Sequence, residues 1–280
     1  MGVNPRSLQG QNVARFLADL SITEGLSYNT ILLHRAAITT FCAGGPASDA
    51  STDFLVRQTL KAISIAKPRE IKSPIWDARI LLNWLAKPTD TLSLFEISRR
   101  TATLLLLASG RRNHDLTLLR MSKDYLENRE DDIVMWPTFG SKTDRVSFRQ
   151  SGWRISKHPN IWLCPITWIR TKLKRAQERR KDFNVDALFI TIYGDVKPAS
   201  RTVIPNWIRS VLKKAGIDAS PGSIRSGIAS RSWLDDLPVQ DILDRGNWRC
   251  SETFKKHYYR EVSNDNQLDP SLSFPKFTPI

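Results

Sequence analysis

A chain of 280 residues, 41% of them apolar, is long enough to bury one large core or two modest ones. Its 42 Lys and Arg against 28 Asp and Glu leave a net charge of +14, which points to a polyanionic partner, nucleic acid before membrane, because no long apolar span or amphipathic basic helix is present. Residues 1–10 form neither a charged nor an apolar leader, and Cys42, Cys164 and Cys250 are odd in number and far apart, which argues against a disulfide framework or a Cys/His zinc cluster and for a reducing, intracellular setting.

The charge is uneven: residues 1–70 hold seven basic and five acidic side chains, so twelve of the fourteen excess charges fall in the remainder, the larger expected DNA contact. Residues 7 to about 66 read as a helical unit. Ser7 is placed to cap a helix with Val13, Phe16, Leu17 and Leu20 inward, and Ser27 a second with Tyr28, Ile31, Leu32, Ile38 and Phe41 mostly inward and His34 and Arg35 near the edge of that face. Gly44-Gly45-Pro46 stops the second helix, and a third follows Asp53 with Val56, Leu60 and Ile63 on one face. Residues 67–74, with two prolines and three cations, read as a linker.

Beyond the linker the apolar load rises. Ile80, Leu81, Trp84 and Leu85 belong to one helix, and Leu92 to Leu107 to another that is buried nearly all round and broken by Gly110. Asn113 then caps a helix with Leu116 and Leu119, and an arginine at this junction calls for a buried anion. Ile133 to Trp136 and Val146 to Phe148 read as strands of a hairpin with Lys142 at its tip, and Leu188 to Ile192 as a further strand. Between them Pro165 opens a long helix through Lys181 whose cations, Lys172 among them, read mostly as a solvated face. Helices follow up to Gly216, from Ser223 to Trp233 and from Val239 to Asp244.

The stretch from Gly246 to Arg260 places Trp248 ten residues before Tyr258, with Arg249, Lys255, Lys256 and Arg260 close by. A phenol of ordinary pKa, about 10, attacks poorly at neutral pH unless cations stabilise its anion. Phe254 and Tyr258 are equally the apolar face of an amphipathic helix.

Ser109-Gly110-Arg111-Arg112-Asn113-His114-Asp115-Leu116, Lys142, Ser223-Ile224-Arg225 and Gly246-Asn247-Trp248 with Tyr258 resemble, in order, the motifs of the tyrosine recombinase (phage-integrase-like) family, and are most similar to recombinases of DIRS-type retrotransposons. The resemblance implies a mainly α fold with a small antiparallel β-sheet: a helical core-binding domain (1–66), a linker (67–74), an α+β catalytic domain (75–262) and a tail (263–280). It also implies a recombinase or integrase that cuts and rejoins double-stranded DNA through a 3′-phosphotyrosine, without metal or other cofactor, as a dimer to tetramer on DNA, without membrane and in the nucleus. In that scheme Tyr258 is the nucleophile, Arg112, Arg225 and Trp248 hold the phosphate, Lys142 protonates the leaving 5′-oxygen and Asp115 orients the first arginine.

One departure stands out: the family's histidine three residues before its second arginine is Gly222 here, with His257 and His114 as possible substitutes, and Tyr259 is a second phenol beside the nucleophile. A recombinase-derived DNA-binding protein without chemistry, and a single-strand-nicking topoisomerase, remain as alternatives. Arg35, Lys61, Lys197 and Arg201 are the expected phosphate-backbone contacts. The two domains are expected to take opposite faces of the duplex, and the tail to pack on a neighbouring subunit, the alternative being a tail folded back on its own chain.

Overall fold

The computed structural model describes residues 9–41, 53–67, 72–89, 92–263, 269 and 271–280. Ser7, Cys42, Gly44-Gly45-Pro46, much of the linker, the Phe41 side chain and residues 264–268 therefore lie outside the described residues. The chain divides into two units, Met1–Lys72 and Ser73–Ile280, and each is described by itself.

In the first, α1 (Gly10–Ile22), α2 (Tyr28–Phe41) and α3 (Phe54–Ala66) enclose Val13, Leu17, Ile31, Val56, Leu60 and Ile63. Asp53 caps α3 by accepting from the backbone N–H groups of Leu55 and Val56 at 2.8 and 3.1 Å, and Ser27 caps α2 through Thr30 N–H at 3.3 Å. Phe16 departs from its expected place. It stays 42% exposed and meets the edge of His34, the buried face of α1 being taken by Val13, Ala14, Leu17 and Ser21.

The second unit is built around α5 (Leu94–Ser109), which is buried from Glu96 to its end and packs against α6 (Pro165–Arg180), α7 (Val203–Lys214) and α8 (Ser223–Leu234). Such a helix carries polar side chains only if they are paired. Glu96 binds both Arg99 and Arg100, and Arg99 also reaches Ser210. The remaining helices are α4 (Ala78–Ala86), α9 (Val239–Gly246) and α10 (Ser251–His257). After Gly110 comes a six-residue 3₁₀ helix, Asn113–Leu118, with Arg112 rather than Asn113 at the capping position.

Four short strands, β1 (Leu126–Asn128), β2 (Asp132–Met135), β3 (Trp153–Ser156) and β4 (Phe277–Pro279), form an antiparallel sheet in that order. Here the sequence expectation is corrected three times. Val146 to Phe148 is no strand: Val146-Ser147 is a two-residue turn closed by Arg145 and Phe148, and the partner of β2 lies further on, where Trp153 and Ile155 face the core. Leu188 to Ile192 makes isolated bridges only. The tail folds back on its own chain as β4, with Leu272, Phe274 and Phe277 packed on the core. Lys172 is a further correction, fully buried on the inner face of α6, where it donates to Ser98 Oγ at 2.8 Å and lies 5.0 Å from the Phe189 ring. No helix of the described residues is long and apolar enough to cross a membrane.

Candidate active site

The site grows from the end of α5. Gly110 takes a left-handed conformation (φ 60°) that a side chain would disfavour, stops the helix and turns the chain toward Arg111 and Arg112. The last carbonyls of a helix are electronegative and lack intrahelical partners. Here cations receive them: Arg225 Nη1 donates to Gly110 O at 2.7 Å, and Arg245 Nη2 to Leu107 O at 2.8 Å. One of the expected phosphate ligands is thus oriented by the helix that precedes the other.

Arg225, on α8, is buried with its guanidinium carbon 3.9 Å from the Trp248 ring and 4.9 Å from the Tyr258 ring. Its Nε and Nη2, and Trp248 Nε1, are buried and make no well-formed hydrogen bond, although both side chains approach the Tyr258 phenol closely enough to help lower its pKa. Unpaired buried donors are costly, and three converging beside one phenol describe a seat for an anion. Burial, reinforced by the charge of Arg112, lowers the Arg225 pKa to about 10. For Tyr258, burial pushes the pKa up, but the charges of Arg225 and Arg112 outweigh it and hold the phenol below its ordinary value.

Trp248 owes its position to its neighbours. A side chain at Gly246 would lie 2.0 Å from the Trp248 ring, so only glycine fits. Asn247 ends α9 at φ 54°, a conformation that asparagine tolerates better than most residues. Below, Phe254 is fully buried against Trp248 and Trp233 at 5.7 and 5.9 Å. Tyr258 closes α10 half-buried, its ring 4.8 Å from Trp248, whereas Tyr259 turns away to stack on Trp233 and Phe254. The two phenols are thus separated by geometry, and it is Tyr258 that meets the arginine.

Asp115 accepts the backbone N–H of Arg112 at 3.0 Å and the hydroxyl of Ser141 at 2.8 Å, so it orients Arg112 through the main chain and anchors the Lys142 loop as well. On the other side of Lys142, Thr143 accepts from Asn247 Nδ2 and, through its carbonyl, from Arg249, both at 3.0 Å. Asp144 gathers the N–H groups of Gly140, Ser141 and Gln150, each at 2.9 Å. Lys142 itself is exposed. Ser141 and Asp144 were given no role from sequence, and Thr143, Gly246 and Asn247 were read only as motif neighbours of Lys142 and Trp248. Only Asp144, a turn-forming residue two places after a candidate lysine, carried a local signal.

Gly222 precedes α8 with ordinary backbone angles, and a Cβ there would meet nothing closer than Ser220 Oγ at 3.9 Å. His114 binds Gly140 O at 3.0 Å, toward the Lys142 loop, and His257 is exposed on the last turn of α10. Arg111, buried and flanked by Ser151 Oγ at 2.6 Å and the Phe277 ring at 5.6 Å, is the junction arginine that lacks solvent; Arg112 is only half-buried. Lys197 pairs with Asp195 at 3.0 Å and Arg201 is exposed, and no contact ties either to Tyr258; in the first unit Lys61 is exposed and Arg35 half-exposed.

No family model matches the sequence, and no curated protein matches it. Among solved structures the chain is similar to the Tn1549 transposon integrase in complex with transposon right end DNA, with a TM-score of 0.59 at 14% identity over 91% of this chain and 82% of that one. A lambda integrase dimer bound to a COC′ core site gives 0.56 at 14% identity over 97% and 87%. The XerH site-specific recombinase bound to palindromic difH substrate gives 0.57 at 13% identity over 90% and 70%. Likeness at such low identity is a likeness of fold, and the fold of this chain is that of the tyrosine recombinases and integrases.

Proposed function

We propose that the chain is a DNA strand transferase of the tyrosine recombinase type, a site-specific recombinase or integrase acting on duplex DNA as a dimer to tetramer. Tyr258 Oη attacks a phosphodiester, the 3′-side phosphorus–oxygen bond to Tyr258 forms as the bond to the 5′-oxygen breaks, and Lys142 gives that oxygen its proton. The released 5′-hydroxyl then attacks the phosphotyrosyl link of another subunit, losing its proton as that subunit's tyrosine leaves and regains one. Arg112, Arg225 and Trp248 donate to the nonbridging oxygens, where charge develops in the transition state. Asp115 keeps Arg112 and the Lys142 loop in place, and His257 is the nearest supporting group along the chain. The observation that carries the reading is the set of buried, unpartnered donors, Arg225 Nε, Arg225 Nη2 and Trp248 Nε1, beside a phenol made more acidic by two arginines.

Arg35, Lys61, Lys197 and Arg201 are proposed as phosphate-backbone contacts. The affinity to DIRS-type retrotransposon recombinases, and with it a nuclear site of action, rests on the sequence motifs alone. The test is a nicked suicide duplex, which traps the covalent intermediate; a phosphotyrosyl adduct is expected, and its absence despite tight DNA binding would replace this reading by a second one. That second reading, a DNA-binding module derived from a recombinase, is favoured by one observation, Gly222 where the family has histidine.

A further inference from the structure

The loop that carries Lys142 ends in a feature that the chemistry does not use. Val146 is 103% exposed at the tip of the two-residue turn, and Phe139 and Phe148 on the same loop are 55% and 41% exposed. Single exposed apolar residues need no explanation, but three on one loop form a patch. The turn itself offers no reason for valine, since such positions favour Gly, Asn, Asp, Pro or Ser. The patch is also rigid: Arg145 and Phe148 exchange backbone hydrogen bonds at 2.7 and 3.1 Å, and Asp144 fixes the loop base.

Its surroundings are cationic. Arg149 sits over Phe139 at 5.7 Å and Arg249 over Phe148 at 4.7 Å, with Arg145 and Lys142 exposed alongside. Arg249 follows Trp248, lies over Phe148 and binds the carbonyl of Thr143, which ties the Phe148 end of the loop to the segment that carries Trp248. A cationic collar excludes a basic protein surface, including a second copy of this chain, and matches the negative potential of a DNA groove. An apolar tip inside such a collar has the chemistry of a side chain that enters a base step and unstacks it.

We infer that Val146, with Phe148 closing the same turn, is a wedge that opens a base step next to the cleaved phosphate, and so selects targets by deformability. This rests on duplex DNA being the substrate. Pyrimidine–purine steps open most readily, so the wedge favours TA or CA/TG at that place over an A-tract, without a base-specific hydrogen bond.

The experiment uses the full chain on nicked duplexes carrying 2-aminopurine at successive positions near the nick, and reads fluorescence and covalent adduct in the same sample. Native protein is expected to raise the fluorescence at one step. Val146→Ser, at a fully exposed site, and the Val146→Ser/Phe148→Ser pair, with circular dichroism as the check on folding, are expected to lose that rise and the TA-over-A-tract preference while keeping DNA affinity. A rise that survives in both variants overturns the wedge. So does an adduct formed by native protein with no rise at any position, which leaves the strand-transferase reading standing. A rise without adduct supports the wedge and counts against the chemistry, and failure to bind duplex DNA overturns both. A dimer off DNA that Val146→Ser abolishes, with no fluorescence change on DNA, assigns the tip to a second copy instead.

Discussion

The guanidinium carbon of Arg225 lies 3.9 Å from the ring of Trp248. Stacked there, with Nη1 held by Gly110 O, the guanidinium has a fixed orientation, and Nε and Nη2 are left to face whatever lies beside Tyr258. The indole both fixes the arginine and offers its own N–H. Trp248→Phe keeps the stack and removes the donor, so single-turnover cleavage should fall about 100- to 1,000-fold with DNA affinity little changed.

Tyr258 and Tyr259 can be separated on one gel. Tyr258→Phe should abolish the adduct on a suicide duplex, and Tyr259→Phe should keep it, because the Tyr259 ring stacks on Trp233 and Phe254. An adduct that persists in Tyr258→Phe and disappears in Tyr259→Phe would move the nucleophile by one residue.

Gly222→His has room to be accepted, and supplying a general acid–base group is worth ~100- to 10,000-fold where one is missing. The adduct should form faster in this variant. An unchanged rate would mean that the site works without a group at this position.

The pH dependence has a defined sign. Burial raises the Tyr258 pKa, but Arg225 and Arg112 lower it further than burial raises it, so cleavage should climb with pH and level off below the ordinary tyrosine value of about 10. Arg112→Gln should move that midpoint upward, whatever it does to the plateau rate.

Stability carries a second pH signature. Burial lowers the Lys172 pKa to about 7, against about 10.4 in the unfolded chain. Between those values the unfolded state binds the extra proton, so stability rises as pH increases through this window, and below it the buried charge is a constant cost. Lys172→Met should raise the melting temperature at pH 7 and flatten its dependence on pH.

Much of this was legible because helices write their faces at a fixed period: Val56, Leu60 and Ile63 on α3, and the leucines of α5, could be placed from spacing. The order of Arg112, Lys142, Arg225, Trp248 and Tyr258 was legible as a motif. What failed was non-local. Nothing local told Trp153 from Val146 as the partner of β2, since both runs suit a strand and only the core distinguishes them. The burial of Lys172 depends on Ser98 and Phe189, far away in sequence, and the return of Phe277 to β3 depends on an edge that exists only once the sheet has formed.

Ile75, at the entry to the second unit, pairs with Val262: its N–H donates to Glu261 O at 2.7 Å and its carbonyl accepts from Ser263 at 2.8 Å. Just upstream along the chain, Arg260 N–H and Tyr258 O both meet Ser230 Oγ, at 3.0 and 3.5 Å. The backbone that enters the second unit is therefore stapled to the backbone that leaves Tyr258. A displacement of the backbone at Ile75 is passed directly to the backbone just past Tyr258, so the entry of the second unit and the setting of its phenol move together.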